Sequence, residues 1–223
     1  AVSTEETRYY LNGIYFHVTD GQLRAVATDG HRLARVELEA PDGSRGMPGI
    51  IVPRKTVNEL RKLIDETDST IGIALSDTKI RFSFDGAVLT SKLIDGTFPD
   101  YTRVIPTSND KTLEVDAKLF AEAVDRVSTI STDKTRSVKL SLDQGRMVLS
   151  VMSPDSGTAT EELAVTYEGA PMEIGFNARY LLDILAQIDG ELVRVQLADA
   201  ASPTLVTETG SSNALYVLMP MRV

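Results

Sequence analysis

Two histidines, His17 and His31, and no cysteine are found among the 223 residues. Thiolate zinc sites, disulfide frameworks and cysteine nucleophiles are therefore excluded together. His31 has the more suggestive setting. In Thr28-Asp29-Gly30-His31-Arg32-Leu33 it stands beside a carboxylate, as a proton-transfer or metal-binding imidazole would. The same Asp29-Gly30 pair also suits a turn whose polar side chains bond the local backbone. Carboxylate pairs such as Glu5-Glu6 and Glu161-Glu162 lie in polar runs and read as solvated faces. A phosphate loop ending in Gly-Lys-Ser/Thr, a dinucleotide fingerprint and a Gly-x-Ser-x-Gly nucleophile elbow are all missing. One enzymatic reading remains, a small hydrolase or lyase using a carboxylate with His31. The alternative is a binding protein with no catalytic residue, metal or cofactor, a peptide-binding module unrelated to DNA being one form of it.

With 42% hydrophobic residues the chain is long enough to bury one large core or two ordinary ones. No apolar run approaches the ~20 residues of a membrane-spanning helix, and AVSTEETRYY lacks the basic and apolar parts of a secretion signal. A soluble, cytoplasmic protein is expected. The formal charge of −9 argues against a molecule that coats nucleic acid with its whole surface. It leaves room for a local basic strip on an otherwise acidic body.

The elements that must position any site come in two similar sets. Ile51-Val52-Pro53 leads into an amphipathic helix with apolar Val57, Leu60, Leu63 and Ile64. Near Ile174, Gly175-Phe176-Asn177 leads into a second, capped by Asn177 and striped by Leu181, Ile184, Leu185 and Ile188. An alternating strand follows each helix, over 71–75 and 192–197. A hairpin precedes each: 14–18 and 23–27 about the turn Asp20-Gly21, and 138–142 and 147–151 about Asp143-Gln144-Gly145. The second set alone opens with a strand over 112–115 and a helix over 117–130, capped by Asp116 and carrying Leu119, Ala123, Val124 and Val127. The first copy is thus expected to be incomplete at its amino end. These patterns predict an α+β fold of repeated antiparallel-sheet domains, with two helices per complete copy. The domains are expected at 1–108 and 109–223, divided at the linker-like Pro106-Thr107-Ser108-Asn109-Asp110.

Several ordered motifs resemble one family. Arg8-Tyr9-Tyr10-Leu11-Asn12-Gly13 with Val26-Ala27-Thr28-Asp29-Gly30-His31-Arg32-Leu33-Ala34, Val52-Pro53-Arg54-Lys55, Ser91-Lys92-Leu93 with Phe98-Pro99-Asp100-Tyr101, Glu173-Ile174-Gly175-Phe176-Asn177 and the closing Tyr216-Val217-Leu218-Met219-Pro220-Met221-Arg222-Val223 are similar to the bacterial DNA polymerase III beta subunits, the sliding clamps. The resemblance spans nearly the whole chain. It implies the DNA-clamp fold, with the helices on the inner face of a ring built from two three-domain subunits. This chain would hold the second domain, trimmed, and the third, so it is not expected to close a ring by itself.

The resemblance also implies a non-enzymatic processivity factor for DNA replication. Its partners would be sequence-independent duplex DNA, the DNA polymerase III alpha subunit, the clamp loader and other proteins bearing a clamp-binding motif, with homodimerisation of the full-length form. Partners of such clamps bind by a short peptide in a groove between the second and third domains. Leu11, Leu33, Pro99, Val104, Val217, Met219, Pro220 and Met221 would form its apolar wall. His31, Arg32, Arg103, Asn177, Tyr180 and Arg222 would supply polar contacts, and Thr28 and Gly30 the floor. Pro203 falls at the expected margin. For DNA the implied residues are Arg54, Lys55, Arg61 and Lys62 on the first long helix, Lys118, Arg126 and Arg179 on the others, and Tyr9 and Tyr10 as stacking groups for single-stranded template.

Overall fold

The structure, a computed structural model, describes residues 1–65, 68–131, 137–211 and 213–223. It divides into two compact units, Ala1–Tyr101 and Thr102–Val223. The division falls ahead of the linker-like stretch at Pro106, because Tyr101 is buried and belongs to the first unit.

Unit 1 opens with a short 3₁₀ turn, Glu6–Leu11. It continues with β1 (Gly13–Thr19), β2 (Gln22–Thr28), β3 (Arg32–Glu39), β4 (Ile50–Pro53), α1 (Arg54–Ile64), β5 (Gly72–Leu75), β6 (Lys79–Phe84) and β7 (Ala87–Lys92). All pairings are antiparallel, in the orders β3-β2-β1-β4 and β5-β6-β7. The β1–β2 hairpin closes on Asp20 and Gly21, at φ 52° and 74°. Two successive positive-φ residues give the turn whose twist matches that of the strands. Asp85-Gly86, at φ 45° and 77°, closes β6–β7 by the same device.

Unit 2 runs β8 (Lys111–Asp116), α2 (Ala117–Ser128), β9 (Ser137–Asp143), β10 (Arg146–Ser153), β11 (Gly157–Ala164), β12 (Thr166–Tyr167), β13 (Met172–Asn177), α3 (Ala178–Leu185), β14 (Leu192–Leu197), β15 (Thr204–Glu208) and β16 (Ala214–Leu218). Its strands order as β11-β10-β9-β13 and β12-β8-β14-β15-β16. The run β1–β2–β3–β4–α1–β5–β6–β7 therefore matches β9–β10–β11–β13–α3–β14–β15–β16 in both chain order and sheet order. In unit 2, β8 pairs with the outer edge of β14, and α2 packs on β10 and β11. Among the described residues of unit 1, no element takes either place.

The caps follow the sequence. Asp116 accepts the Leu119 N–H at 2.8 Å, and Asn177 accepts those of Arg179 and Tyr180 at 3.0 and 3.3 Å. Ile188, expected on the stripe of the helix capped by Asn177, lies past α3, which ends at Leu185, and two further helix positions differ from expectation. In α1, Val57, Leu60 and Ile64 pack against Ile50, Val52, Ile80, Phe82 and Phe84, whereas Leu63 is 45% exposed. In α2, Leu119 is 51% exposed and Phe120, absent from the expected stripe, is 1% exposed. At about 100° per residue, Leu63 and Leu119 lie roughly 100–120° off the line of their buried neighbours. α2 also ends at Ser128 rather than Ile130.

Phe120→Ala should therefore lower stability by about 3–5 kcal/mol, while Leu119→Ser should stay within about 0.5 kcal/mol of the parent. Urea midpoints of the two variants decide it, and equal losses would restore Leu119 to the core.

Candidate functional site

The Thr28–Leu33 turn in unit 1 is braced by its own side chains. Asp29 Oδ1 accepts the N–H groups of His31 and Arg32 at 2.9 and 3.0 Å, and Oδ2 accepts Arg32 Nε at 3.0 Å. The Thr28 hydroxyl donates to the Arg32 carbonyl at 2.7 Å and accepts the Gly30 N–H at 3.1 Å. Asp29 thus serves the turn and bonds the main chain of His31. Among the described residues, no three His, Cys, Asp or Glu side chains converge to hold a metal.

Arg8 lies over this turn. Gly30 has φ 89°, and a Cβ there would come within 2.6 Å of Arg8 Nη1. The guanidinium forks onto Glu5 at 2.9 and 2.8 Å. That hydrogen bonding holds the Glu5 carboxyl below its usual range and raises Arg8. The 3₁₀ turn carrying Tyr9, Tyr10 and Leu11 is thereby fixed beside the loop carrying His31. Arg8 is a positioning residue that nothing in its sequence setting singles out.

Of the expected peptide contacts in unit 1, Gly30, His31 and Pro99 are exposed and Thr28 and Arg32 half-buried. Leu11 and Leu33 are buried, Leu33 to 2% exposure, so they stand behind the surface.

In unit 2 the chain end is tied to the sheet. The Met221 N–H donates to the Gly175 carbonyl at 2.8 Å, forming an antiparallel bridge to β13. A Cβ at Gly175 would lie 2.3 Å from Val223 Cγ1 and 2.7 Å from the Met221 oxygen, so only glycine permits this approach. β13 ends at Asn177, the cap of α3. The bridge therefore brings Met221 and Arg222 to the strand that leads into Asn177 and Tyr180. Val217 is buried, Met219 is 38% exposed, Pro220 and Met221 are half-buried, and Arg222, Arg103 and Val104 are exposed. Pro203 contributes its carbonyl to a clasp, accepting Asn109 Nδ2 at 3.0 Å.

The cations form a second group. Arg54, Lys55, Arg61 and Lys62 of α1, with Tyr9 and Asn12, line an open depression of about 950 Å³ in unit 1. Tyr9 is 52% exposed and meets Tyr10 edge-on, with ring centroids 5.8 Å apart. Lys62 is shared with Glu59 at 3.0 Å. In unit 2, Lys118 and Arg179 are exposed. Arg126 is committed to carboxylates: its Nε donates to Glu161 at 3.0 Å, and Nη1 lies 3.6 Å from Glu122. Hydrogen bonding to Arg126 lowers the Glu161 carboxyl. Of the expected DNA contacts, Arg126 thus has its charge largely compensated within its own unit.

Repeated strand–hairpin–helix units with a basic helix face define the sliding-clamp fold. A DNA polymerase III subunit beta sliding clamp from Bartonella birtlesii, solved bound to griselimycin, superposes with TM-score 0.97 at 57% identity, covering 100% of this chain and 61% of that one. The Caulobacter crescentus clamp does so at 0.97 and 56%, covering 100% and 60%. Among curated relatives, the beta sliding clamp of Caulobacter vibrioides is 56% identical over 227 residues, and this chain spans 61% of its length. Residues 1–100 match the central domain of the DNA polymerase III beta subunit, and residues 102–222 match its C-terminal domain. The chain belongs to the DNA polymerase III beta subunit family.

Gly175→Val should expel the tail from β13. The Met221 amide, protected from hydrogen exchange in the parent, should then exchange at least about tenfold faster while the β9 and β10 amides keep their protection. Unchanged protection at Met221 would refute the bridge.

Proposed function

We propose that the chain works as part of a replicative processivity clamp. The full assembly is a homodimeric ring that encircles duplex DNA in the cytoplasm and performs no catalysis. It tethers the polymerase alpha subunit, the clamp loader and other partners by a short peptide motif. The observation that carries the peptide half of this reading is the Met221–Gly175 bridge, which ties Met221 to the strand that ends at Asn177, the cap of α3. Met219 and Met221 offer polarisable surface that accommodates related apolar side chains. Asn177, Tyr180 and Arg222 supply the polar rim that fixes register. Leu11, Leu33 and Val217 act from behind by holding the surface residues in place.

The DNA half rests on α1. Its cations and the neighbouring Tyr9 present charge without the shape needed to read base edges, which suits loose phosphate contact and sliding. The acidic remainder of the surface discourages non-specific coating.

A labelled peptide of the form Gln-Leu-x-Leu-Phe should bind saturably in fluorescence anisotropy. Met219→Glu should weaken it at least tenfold, about 1.4 kcal/mol; equal affinity of the two proteins would refute the assignment. In low-salt duplex binding, replacing Arg54, Lys55 and Arg61 together by Ala should flatten the dependence of log K on log salt by about two to three units. Arg126→Ala, already paired, should leave that slope unchanged. A steep slope surviving the triple replacement would move the DNA contact elsewhere.

A further inference from the structure

One half-buried cluster in unit 1 takes no part in these sites. Tyr15 and His17 of β1 share a sheet face, and the segment Phe98–Tyr101 lies across them. Phe98 stacks on Tyr15 with centroids 4.8 Å apart and planes 9° from parallel. Tyr15 stacks on His17 at 4.9 Å. The Tyr101 ring tilts over His17 at 5.7 Å, and its hydroxyl lies 2.9 Å from His17 Nε2. Phe98 and Tyr101 are both buried. The segment is a strap held at each end, and it stops where the chain passes into unit 2.

Arg24 lies opposite His17 in the β1–β2 register. A neutral imidazole with its own proton on Nδ1 offers Nε2 as acceptor for the Tyr101 hydroxyl proton, whereas an imidazolium offers no acceptor. Burial, and after it the Arg24 charge, holds the imidazole below its ordinary range.

The other ionisable groups on this face do not reverse the balance. Glu37 of β3 is occupied by Arg24 at 2.9 Å and by Arg35 at 3.3 Å, and burial raises the Tyr15 phenol.

We propose that this cluster is a pH-sensitive latch in which the Tyr101 hydroxyl donates to Nε2 of a neutral His17: protonating His17 releases the Tyr101 end of the strap and loosens the junction through which the chain leaves unit 1. The incoming proton occupies Nε2, so the hydroxyl loses its acceptor and an imidazolium faces the Arg24 guanidinium. The folded-state pKa is depressed, so the latch is fully formed above the ordinary imidazole midpoint of about 6.5. It is lost as pH falls from there through the lower folded value.

The test uses the whole chain. With two histidines in the sequence, ¹⁵N imidazole shifts resolve His17 separately from His31. At about pH 7.5 His17 should show the Nδ1–H tautomer and should titrate below about 6.5. Exchange of the 98–104 amides, corrected for intrinsic pH dependence, should rise at least about threefold between pH 7 and 5.5. His17→Gln keeps an acceptor that cannot be protonated and should abolish that rise. Tyr101→Phe keeps the ring but removes the hydroxyl. It should give fast exchange at both pH values and raise the His17 midpoint, so it carries the test even if the glutamine variant folds poorly. An Nε2–H tautomer, an equal pH response in His17→Gln, or an unmoved His17 midpoint in Tyr101→Phe would each overturn the latch.

Discussion

The architecture depends on burying one stripe of each long helix against the sheet that leads into it. In α1 the stripe is Val57, Leu60 and Ile64, and in α3 it is Leu181, Ile184 and Leu185. A helix seated in this way has no choice about its other face. With Val57, Leu60 and Ile64 turned inward, Arg54, Lys55, Arg61 and Lys62 must point to water, where they gather with Tyr9 around one depression. The basic strip of an otherwise acidic chain is thus a consequence of core packing. The same constraint sets the start of α3 and so places Asn177 and Tyr180.

Main-chain groups, more than side-chain reach, shape the Thr28–Leu33 turn and the tail. The Thr28–Leu33 turn is shaped by a carboxylate that accepts two backbone N–H groups, and the tail is registered by one N–H to one carbonyl across a glycine. Such contacts fix position to a fraction of an ångström with little side-chain entropy to lose. The variable, adaptable atoms of Met219, Met221 and Arg222 then remain available at the surface.

What the sequence makes legible is what is local. Asp20-Gly21 and the caps Asp116 and Asn177 act on residues one to three positions away, and all appear where the pattern puts them. The repeat is legible because each copy spells the same strand, hairpin and helix in order. Leu63 and Leu119 mislead because hydrophobicity was matched to a stripe that their helical angle does not reach. The pairs Met221 with Gly175, Arg126 with Glu161 and His17 with Tyr101 join distant positions and carry no local signature. Only folding reveals that Glu161, in a polar run that reads as solvated, compensates a cation, or that Leu33 supports a surface rather than forming it.

The proposed peptide contact of the tail is tested most directly by a chemical-shift map. In an ¹⁵N-labelled sample titrated with a Gln-Leu-x-Leu-Phe peptide, the largest perturbations should fall on Met219, Met221, Arg222, Asn177 and Tyr180. Perturbations confined to the basic face of α1, or none at a saturating concentration, would contradict the account.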